Sequence, residues 1–330
     1  MKVKNFVGRV SGCAFISGLI LLPFQVNALD LTPDASRVIS DPAYLPLQGQ
    51  IYGTTAYTYG EITSDADNNL GVKTGSPKTR NSLTTQSFAY GVTDDFTIRV
   101  TDSYEFSKTD TNPTSGANVL KESDGFTDPT VGATWRALDQ KQYPVSFDII
   151  GSYTPDVFNA KSATADNNGT VARGGQEATG GVAISYKTKD FTIYGEGTAT
   201  YLGSRDSLNE SNDVTTNTNS SWQYAANLQT QTRLTDWFSV NLGVTETYSN
   251  NYDATNSGTL VTFTHESGDI TSLNGALNFQ LIPDRLVAGL TYAHDFYGNS
   301  SNNYALSTSD TSTRNQNQDI YGVRLQYVLN

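Results

Sequence analysis

The chain has 330 residues, with 21 basic and 33 acidic side chains and a formal net charge of −12 at pH 7. A mean hydropathy of −0.41 is too low for a bundle of membrane-spanning helices. The acidic balance argues against a nucleic-acid partner, because such partners are bound through a basic face.

Residues 1–28 predict a secretory signal peptide. An apolar run over residues 13–26 follows three basic residues and leads into a small-residue cleavage site at Ala28. Cleavage removes three of the 21 basic and none of the 33 acidic residues, so the exported chain carries a net charge of −15. Cys13 is the only cysteine and leaves with the signal, which disfavours a disulfide-stapled fold. A lipoprotein signal is the alternative, but its apolar core should precede the cysteine.

Residues 29–48 form a segment before the first predicted strand. Thr32 suits an N-cap, with Pro33 at the first helical position, so a short helix to about Ile39 is predicted. The sequence leaves two positions open for this segment, the periplasm or the mouth of the domain that follows.

From residue 49 onward, polar and apolar residues alternate in runs of about ten, which is typical of strands with one apolar face. About twelve runs begin near residues 49, 81, 96, 126, 144, 176, 191, 221, 238, 270, 286 and 319. Tight turns alternate with polar loops of roughly 17 to 20 residues, and the turns recur about every 47 or 48 residues. The phrase DFTI occurs at residues 95–98 and again at 190–193, two such periods later.

This pattern predicts an all-β fold over residues 49–330. We expect a transmembrane antiparallel up-and-down β-barrel of about 12 strands, with short periplasmic turns and long extracellular loops, in the bacterial outer membrane after export across the inner membrane. Aromatic residues at both strand ends suit two lipid interfaces. A soluble sandwich is the alternative, but it rarely alternates turn lengths so regularly. Two carboxylates, Asp102 and Glu246, have lipid-facing parity and do not fit an apolar outer face.

If the apolar parity faces lipid, the opposite parity lines the lumen. The charged candidates for the pore wall are Arg99, Glu105, Arg136, Asp148, Glu196, Arg233 and Arg324. Lys187 has the same parity, and many neutral amides lie between the charges. Such charges favour small polar solutes over lipophilic ones. A barrel of this size is either a narrow pore or plugged.

The stretch SDGFTDPTVGATWRAL resembles a large family of outer-membrane β-barrel porins named after the meta-cleavage pathway of phenol degradation. The residues that carry the resemblance are Gly125, Asp128, Pro129, Gly132, Trp135 and Arg136. GVTDDFTIRV and YTPDVF are similar to further family elements, and the resemblance spans residues 49 to 330. It implies transport at the outer membrane, such as uptake of small organic compounds.

We therefore predict a porin-like channel for passive diffusion or uptake of small solutes, with outer-membrane lipid and small solutes as its partners. No catalytic residue, metal or cofactor is expected, and the sequence does not indicate an oligomeric state. One alternative is a closed barrel that acts as a structural or receptor protein through its extracellular loops. Another is a lipid-facing phospholipase that uses His265 and Ser267 of THESG, since a nucleophile needs a base within reach.

Overall fold

The computed structural model of the protein describes residues 38–165, 167–210, 212–258, 261–304 and 310–329. The predicted signal peptide lies outside these residues, as does the predicted helix from Thr32 except for its last positions, where Ile39 is in a turn. No helix in the described ranges is long and apolar enough to cross a membrane.

Twenty strand segments build one sheet. They are β1 (Ile51–Asn68), β2 (Lys73–Gly75), β3 (Lys78–Thr93), β4 (Phe96–Asp110), β5 (Leu120–Phe126), β6 (Thr130–Leu138), β7 (Ser146–Thr154), β8 (Ala160–Lys161), β9 (Glu177–Lys187), β10 (Phe191–Leu202), β11 (Arg205–Asn209), β12 (Val214–Thr218), β13 (Ser221–Thr235), β14 (Phe238–Ser249), β15 (Tyr252–Asn256), β16 (Val261–Glu266), β17 (Ile270–Ile282), β18 (Leu286–Tyr297), β19 (Ser300–Tyr304) and β20 (Thr311–Leu329). They make twelve passes along the wall, because several passes consist of two consecutive segments, such as β5 with β6 and β12 with β13.

The sheet closes on itself where β1 pairs with β20. This antiparallel ladder runs from Ile51 opposite Leu329 to Asn68 opposite Thr311. Between these two strands, each pass pairs antiparallel with the next along the chain. A closed ladder leaves no open edge, so the wall satisfies its own backbone donors and acceptors. The structure thus confirms the predicted antiparallel barrel of twelve strands.

The two ends of the barrel differ as predicted, but much of the stretches predicted as long polar loops is strand, such as the β11–β12 hairpin. Turns such as residues 94–95, 188–190 and 236–237 lie at one end, which we call the short-turn end. β1 and β20, which are 18 and 19 residues long, extend to the opposite end, which we call the long-loop end. In an up-and-down barrel, successive connections lie at alternate ends, which explains why short turns and longer connections alternate along the chain.

The two DFTI phrases occupy equivalent positions at the short-turn end. Phe96 begins β4 and Phe191 begins β10. The following threonines are 2% and 3% exposed, whereas Ile98 and Ile193 are exposed on the other face. The phrase therefore marks the strand register, with one side chain inward and the next outward.

The outward face of the barrel is apolar and carries aromatic clusters at both ends. Trp237, Phe238 and Phe279 contact one another near the short turns. Near the long loops, Trp222 packs between Tyr201 and Tyr224. Exposed apolar residues with aromatic belts at two levels are characteristic of barrels embedded in lipid.

The two outward carboxylates have local partners. Glu246 accepts hydrogen bonds from Thr271 Oγ1 at 2.9 and 3.0 Å, close to the outer aromatic band. Asp102 accepts the backbone N–H of Ser103 at 2.9 Å. It lies where the pairing of β4 changes from β6 to β5, an irregularity of the bulge type.

Replacing Gly91 with alanine should destabilise the protein. A Cβ at this position would overlap the backbone carbonyl of Leu47, which cannot rotate away. Gly91 also exchanges backbone hydrogen bonds with Gly49 and Gln50, at 2.8 and 3.0 Å. We expect Gly91→Ala to lower the free energy of unfolding by about 1–3 kcal/mol, the usual cost of overpacking, as measured by urea unfolding in detergent micelles.

Gly197→Ala is the matched control, because a Cβ at Gly197 meets no atom within 4 Å. It should leave the unfolding midpoint almost unchanged. Equal losses in the two variants would contradict the close approach of Leu47 to Gly91.

Candidate functional site

The lumen of the barrel is lined mainly by hydroxyl and amide side chains. The amides concentrate on β13, β14 and β17, as Asn227, Gln229, Gln231, Asn241, Asn274 and Asn278. Asn278 Nδ2 donates to Asn241 Oδ1 at 2.8 Å, and Gln229 Nε2 donates to Asn227 Oδ1 at 3.3 Å. Elsewhere on the wall, hydroxyls pair across strands, as Thr85 does with Ser103 and Thr179 with Thr200, both at 2.9 Å. A solute inside the barrel therefore meets hydrogen-bonding groups on most sides.

Two of the predicted pore-wall residues form a buried ion pair. Arg136 Nε and Nη2 donate to the two carboxylate oxygens of Asp148 at 2.8 and 3.0 Å. Only 14% of the Arg136 side chain and 6% of the Asp148 side chain are exposed. The two charges compensate each other, so this pair adds no net charge to the lumen.

Arg324 and Arg233 are also engaged. Arg324 Nη2 donates to Asn278 Oδ1 at 2.8 Å and thereby joins the amide network. Arg233 Nη2 donates to Asp236 in the adjacent short turn at 2.9 Å. Arg233 thus lies at the very end of the barrel, whereas Arg324 lies deeper in the wall.

The remaining predicted residues, Arg99, Glu105 and Glu196, face the lumen above these pairs. Arg99 is exposed. Glu196 accepts a hydrogen bond from the Tyr194 hydroxyl. That all seven residues form the wall of a conducting pore stays a prediction.

The short-turn end of the lumen is filled by residues 38–46, which we call the mouth segment. Ile39, Ser40, Asp41 and Leu45 of this segment are each less than 8% exposed. At the same level, most strands contribute a buried inward residue, namely Ala89, Thr97, Asp148, Ser185, Thr192, Gln231, Ser239, Asn278, Val287 and Gln326. Of the predicted segment 29–48, the described residues 38–46 therefore lie in the mouth of the barrel.

Contacts between the mouth segment and the wall are mostly polar. Gln231 Nε2 donates to Ser40 Oγ at 2.7 Å, and Arg136 Nη2 donates to the Ala43 carbonyl at 2.8 Å. Asp41 binds Lys187 and Thr192. The apolar part consists of Ile39 packed with Val287 and Val328, flanked by Tyr44 and Tyr52, together with the buried side chains of Leu45 and Pro46.

At the long-loop end, residues 172–175 are largely buried. Gly174 and Gly175 adopt φ values of 69° and 76°, which favour glycine. Arg173 donates to the Gly203 carbonyl at 3.2 Å and pairs with Glu177 at 3.3 Å. Burial lowers the pKa of Arg173, while the Glu177 carboxylate acts in the opposite direction. The sequence did not predict that residues 172–175 are buried, and the two adjacent glycines are the one feature that could have indicated it.

The phospholipase alternative requires Ser267 within reach of His265. His265 Nδ1 lies 2.7 Å from Asn302 Oδ1, and the ring stacks on Tyr252 with centroids 4.8 Å apart. Among the hydrogen bonds of the described residues, none joins His265 to Ser267. The geometry therefore does not assemble a nucleophile with its base. Nor does the described part of the chain contain a group of three His, Cys, Asp or Glu side chains that could hold a metal ion.

These features place the protein in the class of β-barrels of the outer-membrane type. An outer membrane channel from Pseudomonas putida F1 has a similar structure, with a TM-score of 0.57 and 14% sequence identity over 88% of this chain and 99% of that one. The transport unit of the autotransporter AIDA-I from Escherichia coli gives a TM-score of 0.56 and 12% identity over 85% and 90% of the two chains. At these identities the similarity establishes the fold.

No family model matches the sequence, and no curated protein matches it either. The resemblance to the porin family of phenol degradation therefore stays a prediction, whereas the barrel of the outer-membrane type rests on the structure.

Replacing Arg136 with glutamine should destabilise the barrel. The change leaves the Asp148 carboxylate buried without its cation and removes the hydrogen bond to Ala43. Breaking a buried ion pair in this way costs about 3–5 kcal/mol, which urea unfolding would register.

Lys141→Gln is the control, because Lys141 is exposed in the turn and lies 3.9 Å from Asp139. It should cost less than about 1 kcal/mol, as exposed pairs do. An Arg136→Gln protein as stable as this control would show that the pair does not support the mouth of the barrel.

Proposed function

We propose that this protein is an outer-membrane channel for small polar solutes. The observation that carries the proposal is the division of the wall into an apolar, aromatic-belted outer face and an inner face of hydroxyls, amides and charges. An apolar outer face suits lipid, and a polar inner face suits a water-filled path. The short turns would then face the periplasm and the long loops the exterior.

The lumen wall favours solutes that form hydrogen bonds. An apolar solute would displace water from amides such as Asn227 and Gln229 without replacing its hydrogen bonds, and unpaired polar groups are costly. A solute with hydroxyl or amide groups can replace those bonds. We therefore infer polar organic compounds as the substrate class, rather than hydrocarbons.

The charges of the lumen support a preference for cations. In the described part of the chain, neither Glu105 nor Glu196 forms an ion pair, and Glu196 is bound only by Tyr194. Arg99 is the opposing charge at this level, so the two carboxylates leave a net negative potential. Fields of one sign in a narrow pore favour the opposite ion.

The double variant Glu105→Gln with Glu196→Gln should shift the cation-to-anion permeability ratio toward one. Arg99→Gln should shift it the other way, since it removes the opposing positive charge. Reversal potentials across a potassium chloride gradient in planar bilayers measure both effects.

Glu61→Gln is the control, because Glu61 has outward parity and pairs with Lys78 at 2.6 Å. It should leave the reversal potential unchanged. If the double variant behaves like Glu61→Gln, the two carboxylates do not lie along the conducting path.

A closed barrel that works through its extracellular loops is the second candidate, and the filled short-turn end favours it. Single-channel recording separates the two. Discrete conductance steps from the purified protein support the channel. If neither the intact protein nor a variant lacking residues 38–46 shows steps, the channel proposal fails and the closed barrel stands.

A further inference from the structure

We propose that Lys187 and Thr192 form a binding site for the carboxylate of a solute. In the structure, Asp41 of the mouth segment occupies this site. The inference rests on the proposed channel function and names one chemical class that would open its short-turn end, small organic acids.

The site is built from the wall of the barrel and not from the segment that fills it. Lys187 ends β9 and Thr192 lies near the start of β10, and the two residues are direct cross-strand partners. Lys187 Nζ lies 2.6 Å from Asp41 Oδ2, and Thr192 Oγ1 donates to the same oxygen at 3.0 Å. Since both donors belong to the sheet, they would stay in place if Asp41 left.

Asp41 fills this site as a free carboxylate would. Its side chain is only 1% exposed. The second oxygen, Oδ1, accepts the backbone N–H of Ala43 at 2.9 Å, a bond internal to the mouth segment. The wall therefore supplies an ammonium and a hydroxyl to one carboxylate oxygen, and these donors require only a carboxylate from their ligand.

Among the charges around the site, the Lys187 ammonium requires an anion as its partner. The neighbouring Arg136 pairs with Asp148 and donates to the carbonyl of Ala43. Within the described residues, Lys187 is the ion-pair partner of Asp41. Without Asp41, an ammonium that is 22% exposed would face the lumen without a counterion. A solute carboxylate restores this balance at low cost, whereas a neutral amide does not.

The mouth segment is held in part by hydrogen bonds, which a solute and water can replace, such as Ser40 with Gln231 at 2.7 Å. Its apolar contacts are the packing of Ile39 on Val287 and Val328, the Tyr44–Tyr52 ring contact and the burial of Leu45 and Pro46. A tethered group competes with an effective concentration of roughly millimolar order. A monocarboxylate should therefore displace Asp41 in roughly the millimolar range and so open the short-turn end.

Single-channel recording with propionate as the probe tests the site. Propionamide, which has the same shape without the charge, is the matched probe at equal ionic strength. In the intact protein, propionate added at the short-turn end should raise the open fraction, and propionamide should not. Asp41→Asn should raise the open fraction without any solute by about tenfold or more, because it weakens a charge-assisted contact.

Variants of Lys187 distinguish the effect of its charge from the effect of its packing. Lys187→Gln should raise the basal open fraction and abolish the response to propionate, whereas Lys187→Arg should retain the response. Lys189→Gln is the matched control in the same short turn, and it should behave like the intact protein. The heat-modifiable electrophoretic mobility of each variant reports whether its barrel has formed.

A second measurement does not depend on any variant. Propionate should increase protease cleavage within residues 38–46 of the intact protein, and propionamide should not. If the protein conducts but Lys187→Gln responds to propionate as the intact protein does, or propionate leaves cleavage unchanged, the carboxylate site is overturned while the channel stands. If no form conducts, including Asp41→Asn, the channel itself is overturned.

Discussion

The ladder between β1 and β20 is the constraint on which the rest of the structure depends. In hydrocarbon no water is available to a free backbone donor or acceptor, so a sheet can span a membrane only when its two edges meet. The pairing from Ile51 with Leu329 to Asn68 with Thr311 closes that circle. Closure then fixes an inside and an outside, and each strand residue belongs to one or the other.

The two faces meet different solvents, and their chemistry follows. Leu, Val, Ile and aromatic side chains on the outer face suit lipid, while hydroxyls and amides line the inner face. The buried charges of Arg136 and Asp148 are paired, because an isolated charge there would be expensive. Arg99, Glu105 and Glu196 lie above the mouth segment, in the part of the lumen that we propose solutes cross.

The mouth segment makes the short-turn end different from an empty ring of strands. It places one carboxylate, Asp41, on an ammonium and a hydroxyl that belong to the wall. A contact of this kind closes the barrel without a large apolar interface. That combination links closure to solute chemistry, because the group that holds the segment is of the same class as the solutes that could replace it.

The sequence by itself determined the barrel, its strand number, the direction of each side chain and the difference between its two ends. These properties follow from a local period of two and from turn lengths, which need no knowledge of distant residues. Parity also placed Lys187, Arg136 and Asp148 in the lumen. Only the tertiary structure decided that Arg136 binds Asp148 and that Asp41 reaches Thr192 across 151 positions of sequence. Such contacts depend on where closure of the sheet brings separate strands and the preceding segment together, and no local pattern encodes that distance.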